Sequence, residues 1–90
     1  MFDVHLMSFG KLLKFYRLKM GKSQDGMAIL LKVPCSTYKS WEYEKNLPTQ
    51  QRLKSISKTL DKLYPEERPL PSEDLNERYI KIKLRGKKNG

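Results

Sequence analysis

The stretch Ser23–Pro48, SQDGMAILLKVPCSTYKSWEYEKNLP, decides the fold. Ser23 is a natural N-cap for a helix over Gln24–Leu31, with Met27, Ala28 and Leu31 on its inner face. The small Ala28 lets this helix approach a partner closely, while Gly26 weakens it by roughly 1 kcal/mol against alanine. Lys32-Val33-Pro34 makes a tight turn, with Val33 as the apolar plug between two helices. The fixed φ of Pro34 suits a helix start. The next helix, over Cys35–Tyr43, places Tyr38 and Trp41 inward at i, i+3. Ser36, Lys39, Ser40 and Tyr43 fall on its other face. Asn46-Leu47-Pro48 then breaks the chain. Helix, tight turn, helix, loop, with a polar front edge, is the layout of a helix-turn-helix whose second helix suits a DNA groove.

The flanks extend the helical pattern. A helix over Ser8–Met20 has Ser8 as N-cap and Gly21 as its stop. Phe9, Leu13, Tyr16 and Met20 recur at helical spacing and should face the core. Thr49 caps a fourth helix that runs to Leu63, with Leu53, Ile56, Leu60 and Leu63 as its inner stripe. Leu12, Phe15, Leu18, Ile29 and Leu30 lie off these stripes. So many apolar residues outside one small core predict a covered surface, either by a partner subunit or by the chain's own ends.

Ninety residues make one small domain with a small core. Nineteen Lys and Arg stand against ten Asp and Glu, and the pI is near 9.8. That excess favours a polyanionic partner, nucleic acid ahead of an anionic membrane surface. A lone cysteine, Cys35, excludes an intrachain disulfide and a cysteine-based zinc site. A lone histidine, His5, leaves no metal-ligand cluster. The chain has no Gly-rich phosphate loop and no Ser/His/Asp set, so neither an enzyme nor a cofactor is expected. The longest apolar run, Met27–Leu31, is far too short to cross a bilayer. The opening MFDVHLMS places an acid and a histidine where a signal peptide needs a basic start and an apolar run. A cytoplasmic protein without membrane association is the expectation.

Charge divides the chain into three. Residues 1–63 carry twelve basic and five acidic side chains. Residues 64–78, YPEERPLPSEDLNER, carry two basic and five acidic ones and three prolines. Residues 79–90, YIKIKLRGKKNG, carry five basic ones and no acid. The expected organisation is a helix-turn-helix domain over 1–63, an acidic proline-containing connector over 64–78 and a basic tail over 79–90. In the tail, Ile80, Ile82 and Leu84 alternate with Lys81, Lys83 and Arg85, which is the pattern of a dimerisation strand. Phe2, Val4 and Leu6 alternate likewise. Leu75, Tyr79 and Ile82 also fit helical spacing, so strand and helix both stay open here.

Between Phe9 and Leu63 the sequence resembles the Cro/C1-type (XRE) helix-turn-helix family of phage, plasmid and bacterial repressors. Ser23-Gln24 is similar to the family's opening of the second helix, and Met27-Ala28 to its Leu-Ala core pair. Leu31-Lys32-Val33 takes the place of Leu-Gly-Val. Ser36-Thr37-Tyr38 resembles Ser-Thr-Ile, Trp41-Glu42 resembles Trp-Glu, and Pro48 falls where a proline opens the last core helix. Four positions depart from the pattern. Glu44 stands where a helix-terminating glycine is common, and Lys32 replaces the turn glycine. Lys22 sits at a usually apolar position, and Pro34 replaces a Ser/Thr cap.

The resemblance implies an all-α, lambda-repressor-like fold of four to five helices, with a short C-terminal strand as the option for the tail. It implies that Gln24 binds a DNA phosphate from a helix N-terminus. Cys35, Ser36, Lys39 and Ser40 would face the major groove, Thr37 and Tyr43 would touch backbone, and Lys45 would join them from the loop. Arg17 and Glu42 would pair behind the reading helix. The reading face lacks Arg, Gln and Asn, so base preference would rest on Lys39, the serines, apolar contacts and DNA shape. The implied function is a sequence-specific transcriptional repressor that binds double-stranded DNA as a homodimer on a palindromic operator. Two alternatives stay open. One is a DNA-binding antitoxin that meets a toxin through residues 64–90. The other is a protein-interaction adaptor on the same fold.

Overall fold

Local capping sets where each helix begins. The computed structural model describes residues 8–87. All five elements among them are helices: α1 (Phe9–Lys19), α2 (Gln24–Leu31), α3 (Cys35–Glu42), α4 (Gln50–Leu63) and α5 (Pro71–Lys87). The Ser23 hydroxyl accepts from the Gly26 N–H at 3.0 Å to open α2. The Thr49 hydroxyl accepts from the Arg52 N–H at 3.2 Å to open α4. Each satisfies an N–H that the helix itself leaves unpaired. Ser8 has the extended backbone of an N-cap, but its side chain makes no cap hydrogen bond. The α1 start is served instead by Glu44, whose Oε2 accepts from the Gly10 N–H at 2.7 Å.

Helices α1, α2 and α3 end in one shared way. In each case a residue at the C-cap or just after it has positive φ: Gly21 at 68°, Lys32 at 60° and Glu44 at 60°. Lys22 N–H then bonds Arg17 O at 3.1 Å, Val33 N–H bonds Ala28 O at 3.0 Å, and Lys45 N–H bonds Ser40 O at 2.9 Å. These are Schellman closures, which satisfy the last carbonyls by turning the chain left-handed. Only the first uses glycine. The other two carry about 1–2 kcal/mol of left-handed strain for an L-residue. Lys32 is exposed and its side chain makes no hydrogen bond among the described residues. Lys32→Gly should therefore raise the unfolding free energy, by up to about 1 kcal/mol after the extra chain entropy of glycine is counted. A urea titration reads this directly, and an unchanged or lower midpoint refutes the strain at this turn.

By packing, the described chain forms two compact units, one up to Pro48 and one from Thr49. In the first, α3 packs on both α1 and α2. Phe9, Leu12, Leu13, Tyr16, Met27, Ala28, Tyr38 and Trp41 are its buried apolar residues, with Leu31 just behind. The rings of Tyr38 and Trp41 meet edge to face, 6.3 Å between centroids. Leu12, expected off the core, is buried, because the inner face of α1 is wider than one stripe. Met20 and Phe15 are half-buried, while Leu18 and Ile29 are exposed, as are Lys22 and Pro34.

In the second unit, α4 and α5 pack together in antiparallel fashion across a loop over residues 64–70. Leu53, Ile56 and Leu60 of α4 and Leu75 and Tyr79 of α5 are buried apolar residues of this unit. Leu63, expected on the inner stripe, is exposed at the helix end. Of the strand and the helix left open over Ile80, Ile82 and Leu84, the helix forms: α5 runs unbroken through these residues to Lys87. Three alternating residues are a short signal. The Leu75–Tyr79–Ile82 spacing wins because it buries Leu75 and Tyr79 on one helix face. Pro71 occupies the first helical position, where its missing N–H costs nothing, and Glu73 and Asp74 fill the first turn. The alternating Phe2, Val4 and Leu6 lie outside the described residues. Among the described residues no helix is long and apolar enough to cross a membrane.

Candidate nucleic-acid interface

The chemistry of the first unit converges on one carboxylate. Glu42, at the end of α3, has a side chain only 2% exposed. Arg17 of α1 donates to it twice, Nε to Oε2 at 2.6 Å and Nη2 to Oε1 at 3.3 Å. Tyr38, one turn earlier on α3, donates its hydroxyl to Oε2. Gln24, at the start of α2, donates Nε2 to Oε1 at 3.1 Å. The remaining guanidinium nitrogen, Arg17 Nη1, donates to Lys22 O at 3.0 Å. One side chain thus ties α3 to both helices it packs against.

Burial pushes the Glu42 carboxyl up, but hydrogen bonds from Arg17, Tyr38 and Gln24 outweigh it. The group is held below the ordinary carboxylate range. Arg17 is raised by its hydrogen bond to Glu42. Burial raises the Tyr38 hydroxyl, and donation to Glu42 raises it further, so it stays a donor.

With its inner face fixed in this way, α3 presents the opposite face outward. Ser36 and Lys39 are exposed, and Thr37, Ser40 and Cys35 are half-buried. Tyr43, just past the helix end, is 61% exposed. Lys45 is exposed in the following loop. Not all of these are equally available. Ser40 Oγ donates to Thr37 O at 2.7 Å within the helix. Gln24 is engaged with Glu42 and also reaches the Tyr43 hydroxyl at 3.5 Å. The structure therefore joins Gln24 to the Glu42 cluster, whereas the sequence suggested only an outward role.

Cys35 stands at the N-terminus of α3. A helix N-terminus should lower its thiol pKa. Instead the thiol donates to the Asp25 carboxylate of α2, and that hydrogen bond raises its pKa. The thiol is not a poised thiolate. Asp25 also places a negative charge at the front edge of α3, beside Cys35. The positive charges of this region, Lys39 and Lys45, lie exposed elsewhere on α3 and in the loop after it.

Two positions that matter here escaped the sequence reading. Gly10 allows the α3 end to lie against α1: a Cβ there would stand 2.3 Å from the backbone oxygen of Glu42. A glycine near the start of a helix is the signal for such an approach. Tyr38 is the other. It was read as core, yet its i, i+4 spacing to Glu42 made the polar contact legible. Among the described residues no group of His, Cys, Asp and Glu could hold a metal ion.

No family model, no curated protein and no solved structure matches this chain. Its functional reading therefore rests on its own residues.

Proposed function

We propose that the chain is a sequence-specific DNA-binding transcriptional regulator of the Cro/C1-type helix-turn-helix kind. It acts as a repressor and binds a palindromic operator as a homodimer, one α3 in each major groove. The observation that carries this reading is the two-sided character of α3. Tyr38, Trp41 and Glu42 lock one side, while Ser36 and Lys39 stand exposed on the other. A rigid helix with short polar side chains and one lysine outward fits a groove about 12 Å wide without steric conflict. The chain's excess of lysine and arginine supplies attraction to phosphate.

In this reading Lys39 reaches base edges, Ser36 and Ser40 make short contacts, and Lys45 and Tyr43 meet the backbone. Gln24 orients the α2 start beside them. Lys39→Ala should lose about 1–3 kcal/mol of specific binding and relax base preference where Lys39 reads. The side chain is solvent-exposed, so the melting temperature should not move. Gel-shift titration against a selected site and against scrambled duplex measures both quantities. Equal affinity and equal preference in the variant remove Lys39 from the reading set.

A further inference from the structure

The α4–α5 unit carries a groove that DNA reading leaves unused. A cavity of about 380 Å³ opens beside the early part of α4 and the later part of α5. Leu53 and Tyr79 form its buried floor, and Ile80, 46% exposed, forms an apolar wall. Lys54, Lys83 and Asn76 also line it, and among the described residues no acidic side chain does. A second cavity of about 390 Å³ shares Leu53, Lys54 and Asn76 and continues toward the α5 start.

The two acids along that continuation are already committed. Asp61 accepts from the Ser72 N–H at 2.9 Å, and Glu73 accepts from the Leu70 N–H at 3.2 Å. Both acids line only the second cavity, and the first has no carboxylate among its described lining residues to offset Lys54 and Lys83. Lys54 forms no ion pair among the described residues. Lys83 Nζ lies 5.5 Å from the centroid of the Tyr79 ring, which holds an uncompensated ammonium over the apolar floor.

We infer that this groove is a docking site for an acidic amphipathic peptide segment of a protein partner. Its apolar side chains cover Ile80 above the floor of Leu53 and Tyr79, and its carboxylates meet Lys54 and Lys83. Charge complementarity selects the sign of the partner, and the exposed Ile80 wall selects its amphipathic character. A nucleic-acid strand fits less well. Phosphates would use the lysines but leave Ile80 uncovered. Base stacking needs an open ring, and Tyr79 is 4% exposed beneath Lys83.

Fluorescence anisotropy on the full chain tests this, with a fluorescein-labelled helical peptide bearing Glu on one face and Leu and Phe on the other. Saturable binding is expected, weaker in high salt. Ile80→Glu and Lys83→Glu should each reduce affinity about tenfold. A peptide with Lys in place of Glu should bind the Lys54→Glu/Lys83→Glu double variant better than the unaltered chain. Circular dichroism checks the fold of each variant, and Ile80→Gln with Lys54→Gln replaces any that unfolds. The inference is overturned by absence of saturable binding up to about 1 mM peptide. It is equally overturned by affinities indifferent to these variants, or by duplex DNA binding that Ile80→Glu abolishes.

Discussion

Replacing Glu42 with alanine should destabilise the protein by about 3–5 kcal/mol, the cost of leaving one member of a buried ion pair without its partner. Arg17 would keep its charge in a site almost closed to water, with only Lys22 O as acceptor. Tyr38 would lose its acceptor as well, and Gln24 its stronger one. A domain of this size unfolds with about 5–15 kcal/mol, so a large share of its stability is at stake. Urea unfolding measures the loss. An Arg17→Met/Glu42→Leu pair should recover part of it, because two well-packed apolar side chains need no desolvated charge. Strictly additive single and double variants would contradict a direct interaction.

The same cluster sets an acid limit. Glu42 is held below its unfolded value near 4.3, so the folded state favours its ionised form. Its stabilisation is complete above that unfolded value and is lost as pH falls through the depressed folded one. Glu42→Gln, which cannot titrate, should show a shallower fall in melting temperature below about pH 4 than the unaltered chain.

Gly10→Ala should be the second large effect. The added Cβ would meet the Glu42 carbonyl oxygen at 2.3 Å and Glu44 Cγ at 2.8 Å. The Glu44 side chain can swing away, but a helix-end carbonyl cannot move without shifting α3. Such overpacking costs about 1–3 kcal/mol, against less than about 1 kcal/mol gained from alanine's better helix propensity. The net sign is destabilising. The displaced α3 should also lose specific DNA affinity beyond what the stability loss alone explains. A melting temperature equal to or above that of the unaltered chain would show that α1 and α3 are not in this close contact.

How much of this was legible depended on whether the signal was local. Ser23 and Thr49 announce helix starts by chemistry within three residues, and both helices begin where those caps put them. Tyr38 and Trp41 face inward as their spacing requires. What stayed open or unseen was non-local or short. The Ile80–Ile82–Leu84 alternation could not compete with packing of Leu75 and Tyr79 in a helical pair, and nothing nearby in sequence says that α4 supplies that surface. Glu44 looked only like a missing glycine. Its role in capping α1 at Gly10 spans 34 residues and required the fold. The hydrogen bond from Cys35 to Asp25, ten residues away, forms only across the turn and has no local signal.

Selection of binding sites from random duplex DNA by the full chain tests the DNA-reading role of α3 most directly. The expected result is enrichment of a two-fold symmetric motif, with Lys39→Ala relaxing preference at matching positions of both halves. A pool that stays random after repeated rounds with folded protein, or a motif that Lys39→Ala and Ser36→Ala leave unchanged, contradicts it.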